Sequence, residues 1–493
     1  MNTNNDKNPF DKLSGSAILE DPKVILLVLL SVSFIAIILA KLKVVGVGLF
    51  LALFFGSIFI YIIFKHPIIG FFTAIAYNFL VLGIGRYIKG LPLGFGIDGI
   101  MILTFIALIF SRFRDRVDWK PANKQITILA AIWLGYCIFQ LVNPEARKIE
   151  PWIAGRGLGF YFFFFVVLTL MLINTNKKLD TFLYVWGGFS ILATLKGIGQ
   201  MVFGVDSAEQ AWLDNGGAVT HVLFGKLRIF SFLSDAGQFG GNQGYAGVVF
   251  LIYAMAKKGL PKIFFLTVGV LGLYGMLISG TRGSIAVPFA GFMTFFVLKK
   301  NIKVLSAGML MVAILFVFFK YTMIANGNAQ IRRMRTGFDP NNPSLQVRIA
   351  NQKILKGYLA SRPFGGGIGH AGVKAQRFLP NAFLSNVATD SWYVMIWAEM
   401  GIVGLTLHLI ILLYTIGLAS FKVMFRIRDP ITKIKMSALI CGMAGVMLAS
   451  YGNAILGSMP TSLLIYASMA LITNPEIFDK PIEEKKPELI PVS

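Results

Sequence analysis

Apolar runs of about 17–22 residues recur along almost the whole chain, separated by polar connections that hold most of its charge. A run of that length crosses a hydrocarbon core as a helix. In lipid every backbone amide needs an internal partner, so the runs predict helices and not an open sheet. They fall at residues 24–40, 44–64, 67–84, 96–111, 125–142, 157–174, 180–203, 241–256, 262–279, 283–298, 302–322, 389–421, 433–450 and 458–472. The pattern predicts an all-α, polytopic integral membrane protein of about 12–14 transmembrane helices. Residues 1–23 read as a polar cytoplasmic segment without the basic-then-apolar-then-small order of a cleaved signal peptide. Residues 24–472 read as one transmembrane unit and 473–493 as a disordered cytoplasmic tail.

Composition removes the alternative of several soluble domains. Of 493 residues, 56% are hydrophobic and only 14% charged, and mean hydropathy is +0.71. A soluble surface needs nearer a quarter charged residues. Two cysteines, Cys137 and Cys441, lie inside apolar runs, and four histidines share no close spacing. A disulfide framework, a metal centre and a bound cofactor are therefore not expected.

Charge sets the orientation. The short connections of one parity carry 19 Lys/Arg and those of the other 10, which places both termini in the cytoplasm. Two long connections, 204–240 and 323–388, then face outward. The second forms a basic helical extracytoplasmic loop with nine Lys/Arg against the single acid Asp339. Such a loop attracts anions: either a substrate or acidic lipid headgroups, at about 1 kcal/mol per basic residue near the surface. The expected partners are membrane lipids and anionic lipid-linked molecules, not nucleic acid.

Candidate chemistry clusters on the outward side. In LISGTRGSIAV, Arg282 stands between Gly280 and Gly283 at a membrane boundary. There it can fork onto two phosphate oxygens while the glycines let backbone amides approach, or simply snorkel. In KLRIFSFLSDAGQFGGNQGYAG, Arg228 and Asp235 bracket a run too polar for a span, which predicts a re-entrant or interfacial segment and allows a structural ion pair. Residues 345–360 read as an interfacial amphipathic helix carrying Arg348, followed by a glycine loop over 365–372 that holds His370 and could form an anion nest. Arg332 and Arg335 add positive charge in the same long loop. Asp390 opens the next span as a general base or a helix cap, and Glu399 lies within that span, about 13 Å further along the helix. Lys196 is a lone lysine that snorkels or lines a cavity.

In their order, RIFSF (228–232), SGTRGS (279–284), Arg348, SRPFGGGIG (361–369) and AEMGIVGL (398–405) resemble the O-antigen ligase/polymerase superfamily of bacterial envelope glycosyltransferases. The resemblance covers roughly 226–415. It implies transfer of a glycan from an undecaprenyl-diphosphate carrier at the outer face of the bacterial inner membrane, without metal. The acceptor would be a lipid A-core or another envelope glycan. By position Arg282 and Arg348 would hold the diphosphate, with Arg228, Arg332, Arg335, His370 and Glu399 as further substrate contacts. Ligases of this family commonly have a histidine just before the AE-x-G element. Here the sequence is Thr389-Asp390-Ser391, so Asp390 takes that role, His370 reaches in, or the acceptor chemistry differs. A polymerase of the same superfamily, a non-catalytic carrier of lipid-linked glycans and an export scaffold are the alternatives.

Overall fold

A computed structural model describes residues 51, 53–88, 90–110, 118–223, 225–327, 329–338, 343–389 and 391–479. The expected segment 1–23, the span 24–40, the start of the span 44–64, Asp390 and residues 480–493 lie outside this set. Residues up to His66 form a unit of their own, described here by the helix α1 (Leu53–Lys65).

From Pro67 onward the chain is a helical bundle. Its first half runs α2 (Pro67–Tyr87), α3 (Gly94–Phe110), α4 (Gln125–Phe139), α5 (Glu150–Gly155), α6 (Gly157–Leu172) and α7 (Asn176–Phe203). A loop follows with α8 (Ser207–Trp212), α9 (Ala218–His221) and a two-residue hairpin, β1 (Val222–Leu223) against β2 (Lys226–Leu227). Then come α10 (Ala236–Tyr253), α11 (Gly259–Ile278), α12 (Ala286–Leu298) and α13 (Ile302–Tyr321). The second long loop holds α14 (Ala329–Arg335) and α15 (Pro343–Leu359), and the chain closes with α16 (Trp392–Phe425), α17 (Pro430–Ala449) and α18 (Thr461–Ile472). Among the described residues seven helices are long and apolar enough to cross a membrane, and five shorter apolar helices accompany them. The chain is an all-α, multi-pass membrane protein.

The interior sits on α10, which packs against α11, α12 and α17. Almost every residue of α10 is buried, its polar ones included. This corrects the expectation of a re-entrant segment over 226–247: from Ala236 the run is a helix in the middle of the bundle. Its glycines fit tight approaches. A Cβ on Gly247 would lie 2.7 Å from Leu273, and one on Gly272 would lie 2.8 Å from the Gln243 carbonyl oxygen. Buried amides of α10 bond to neighbouring helices. Gln243 Oε1 accepts from Ser190 at 2.8 Å, and Asn242 donates to Thr461 at 3.2 Å.

The opposite end of the bundle is tied by Asp180, which accepts from Lys435 at 3.1 Å and also from Tyr253 and Lys257. Here the first residues of the stretch expected to be a free tail are ordered. Residues 475–478 form a helical turn, Phe478 is buried, and its carbonyl accepts from Asn176 and Thr432 at 3.0 and 2.9 Å.

Candidate active site

The site end of the bundle is built on a helix break. Gly401 has φ +67° and ψ −170°, so α16 stops and restarts there. The backbone groups this releases are taken up by neighbours, the condition for non-helical backbone at membrane depth. Gly366 and Gly367 donate to the Ala398 and Glu399 carbonyls at 2.9 and 2.8 Å, Val403 N–H reaches the Pro363 carbonyl at 3.3 Å, and the Tyr136 hydroxyl caps the Met400 carbonyl at 2.7 Å. The amides of Gly369 and Ala371 lie against the Glu399 carboxylate.

The glycine loop is therefore not an open anion nest, which corrects the sequence reading. Four of its amides are engaged by α16 and the buried Glu399 side chain. Glu399 fastens the loop from below. His370 is buried too, not a surface histidine.

The fastened loop carries α15. Leu355 and Leu359 are buried against Ala371, Leu384, Val387 and Ala398, whereas Leu345 and Ile354 are exposed. Asn351 donates to the Ala388 carbonyl at 3.4 Å, which ties the middle of α15 to the segment leading into α16. Arg348 lies one turn earlier on the same helix and is close enough to Arg282 for their charges to repel.

Arg282 leaves the bundle on the turn between α11 and α12. Gly280 has φ +59°, a conformation that suits glycine. Gly283 abuts the 450–457 turn, where an added Cβ would fall 2.3 Å from Asn453 Nδ2. The two glycines thus make the turn and its packing. Between them Thr281 is buried, donating to the Ala236 carbonyl at 2.9 Å and accepting from Arg228 Nη2 at 3.0 Å. Arg282 Nη1 donates to Thr336 Oγ1 at 3.0 Å.

A fourth guanidinium, not singled out from the sequence, completes the cluster. Arg333 on α14 passes over the turn, with its Cδ 3.7 Å from where a Gly280 Cβ would stand. Burial, then the charges of Arg228 and Arg282, lower its pKa to about 10. Burial likewise lowers that of Arg228, opposed by Asp235 and reinforced by Arg282. Arg282 thus lies within reach of the charges of Arg228, Arg333 and Arg348, and an anion arriving there relieves repulsion as well as gaining attraction.

Other predicted residues go elsewhere. Arg332 is exposed and donates to the Asn326 carbonyl at 3.3 Å. Arg335 donates to the Ile324 carbonyl at 2.5 Å and lies over the Phe318 ring, 5.2 Å from its centroid. Both are turned toward the end of α13, away from Thr336 and the cluster. Asp235 caps α10 by accepting from Gln238 N–H at 2.9 Å. Lys196 lies 3.2 Å from both Asp206 and Glu209, so it braces the first long loop. Among the described residues no three His, Cys, Asp or Glu side chains converge as metal ligands.

No curated protein matches the chain. A family model described as O-Antigen ligase matches residues 267–409, a stretch that holds Arg282, Arg333, Arg348, the glycine loop, Glu399 and Gly401, with Arg228 outside it. That match agrees with the resemblance read from the sequence and is confined to residues 267–409.

Proposed function

We propose that the protein transfers a glycan from an undecaprenyl-diphosphate carrier to an envelope acceptor at the outer face of the inner membrane, its arginine cluster holding the diphosphate. The observation that carries this reading is the convergence of Arg228, Arg282, Arg333 and Arg348 on one end of the bundle. The acceptor hydroxyl attacks the anomeric carbon and forms the new C–O bond, while the anomeric C–O bond to the diphosphate breaks. The diphosphate leaves with the bonding pair, and the hydroxyl proton passes to a base. Charge thus develops on the leaving group, where fixed guanidinium donors act without reorganisation. The arginines supply positive charge that a divalent cation supplies in other transferases. Asp390, which precedes Ser391 in the sequence, is the base we favour.

The acceptor we favour is a lipid A-core or another envelope glycan, which makes the protein a ligase. The test uses purified full-length protein in nanodiscs, a synthetic undecaprenyl-diphosphate glycan and such an acceptor. Wild type is expected to release undecaprenyl diphosphate. Arg282→Lys should abolish release while still inserting, because a point charge does not replace a bidentate fork. Asp390→Asn should do the same, and chelator should leave turnover intact. Chelator loss restored by magnesium would overturn the arginine-only site. Release only when a second donor molecule serves as acceptor would mark a polymerase. No release with either would favour a non-catalytic carrier.

A further inference from the structure

A second cleft lies at the far end of α15 from the arginine cluster. Arg348 and Tyr358 are separated along that helix by about 15 Å. The cleft has a volume of about 450 Å³ and opens between the turn at 145–148 and the loop over 362–384. That is within the range of small-molecule sites, about 300–1,000 Å³.

Its polar groups are arranged and not random. His370 lines it while being only 4% exposed. Its Nδ1 lies 3.0 Å from the Ile368 carbonyl oxygen, which can only accept, so Nδ1 carries the proton. Burial lowers the pKa of the ring and favours its neutral form. Nε2 is then an acceptor lone pair, and it has no partner among the described residues. On the rim Arg147 is exposed, and Lys148 donates to the Phe378 carbonyl at 3.1 Å. Arg362 pairs with Glu145 at 3.1 Å, so the rim keeps a positive balance. Tyr358 and Phe383 stack with centroids 4.5 Å apart and add an aromatic wall.

Cations that suit an anion beside an aromatic surface that suits a sugar ring define one ligand class. We propose that this cleft binds an acidic oligosaccharide, with a carboxylate or phosphate on Arg147 and Lys148 and a sugar ring against the Tyr358–Phe383 stack. The proposal rests on the reading of the protein as a glycan transferase. It places the polymeric part of a substrate about 15 Å along α15 from the diphosphate.

The experiment is titration calorimetry on the full chain in zwitterionic nanodiscs, with a carrier-free hexamer of galacturonic acid as probe and maltohexaose as the neutral control. The acidic hexamer should bind at least tenfold more tightly than the neutral one. The double variant Arg147→Ala/Lys148→Ala, both at exposed positions, should lose at least tenfold. Arg282→Lys should bind the hexamer as wild type does. Equal affinity for the two sugars, no binding of either, or loss in Arg282→Lys without loss in the rim variant would overturn the cleft. Because the probe has no diphosphate, failure here leaves donor turnover intact, and failure of donor turnover leaves this titration readable.

Discussion

Arg333 is the residue on which the proposed diphosphate site can be tested most sharply. Three of the four residues Arg332, Arg333, Met334 and Arg335 are basic, yet only Arg333 is turned toward Arg228 and Arg282. Arg333→Gln keeps a hydrogen-bonding side chain and removes the charge. A hydrogen bond to a charged group contributes about 1.5–3 kcal/mol. At 1.4 kcal/mol per factor of ten, its loss lowers kcat/KM for donor by about 10- to 150-fold. Arg332→Gln is the matched control, since its 3.3 Å contact to the Asn326 carbonyl is at the exposed surface. Exposed substitutions of that kind stay within about 0.5 kcal/mol, or roughly twofold. The assay is initial-rate release of undecaprenyl diphosphate at donor concentrations below KM, with both variants normalised to inserted protein. If Arg333→Gln loses no more than Arg332→Gln, the cluster does not hold the diphosphate and the convergence of guanidiniums has another cause.

Three further outcomes follow from the geometry. Arg335→Gln should lower the thermal midpoint and leave kcat/KM of the folded protein unchanged, because Arg335 ties α14 to the end of α13. Gly401→Ala should destabilise by more than about 3 kcal/mol, since a left-handed non-glycine residue alone costs about 1–3 kcal/mol. In addition, its Cβ would fall 1.9 Å from the Pro363 carbonyl oxygen; a midpoint within error of wild type would refute the helix-break account. Burial lowers the pKa of both His221 and His370 below the ordinary histidine value of about 6.5. Below that value the unfolded chain binds more protons than the folded one, so their stabilisation is full above about pH 6.5 and declines on acidification. Thermal midpoints across this window should fall toward acid, and less steeply in His370→Gln.

The spans were legible because lipid imposes one length and one polarity on every crossing helix. Pro67–Tyr87, Asn176–Phe203 and Gly259–Ile278 fall within a few residues of the apolar runs that predict them. Arg282 and Arg348 were legible for a related reason: a costly charge beside an apolar run or on an amphipathic helix has few places to go. Arg333 was not, because adjacent basic residues differ only in the face they present, and that depends on where a seven-residue helix begins. The glycine loop misled because amides free to bind an anion and amides engaged by a broken helix have the same sequence. Only the partner distinguishes them, and Glu399 and Gly401 lie thirty residues downstream.

The polar residues that argued against a membrane helix over 236–247 are what hold the site in place. Gln238 donates to the Ile455 carbonyl at 2.8 Å and accepts from Thr461 at 2.9 Å, while Gln200 holds the Phe230 and Ser231 amides at 3.3 and 2.8 Å. These bonds join α7, α10 and α18 to the segment that bears Arg228 and to the turn on which Gly283 rests. Interhelical polar bonds of this kind are worth about 0.6 kcal/mol each on average, too little to fold the bundle. Their value is directional. Apolar packing alone leaves a helix free to slide or rotate at modest cost, whereas an amide bonded at both ends fixes register. The proposed diphosphate site, assembled from the first long loop, the α11–α12 turn, α14 and α15, needs that fixed floor, because on that proposal a displacement of about one ångström would separate guanidiniums that act on the same phosphates.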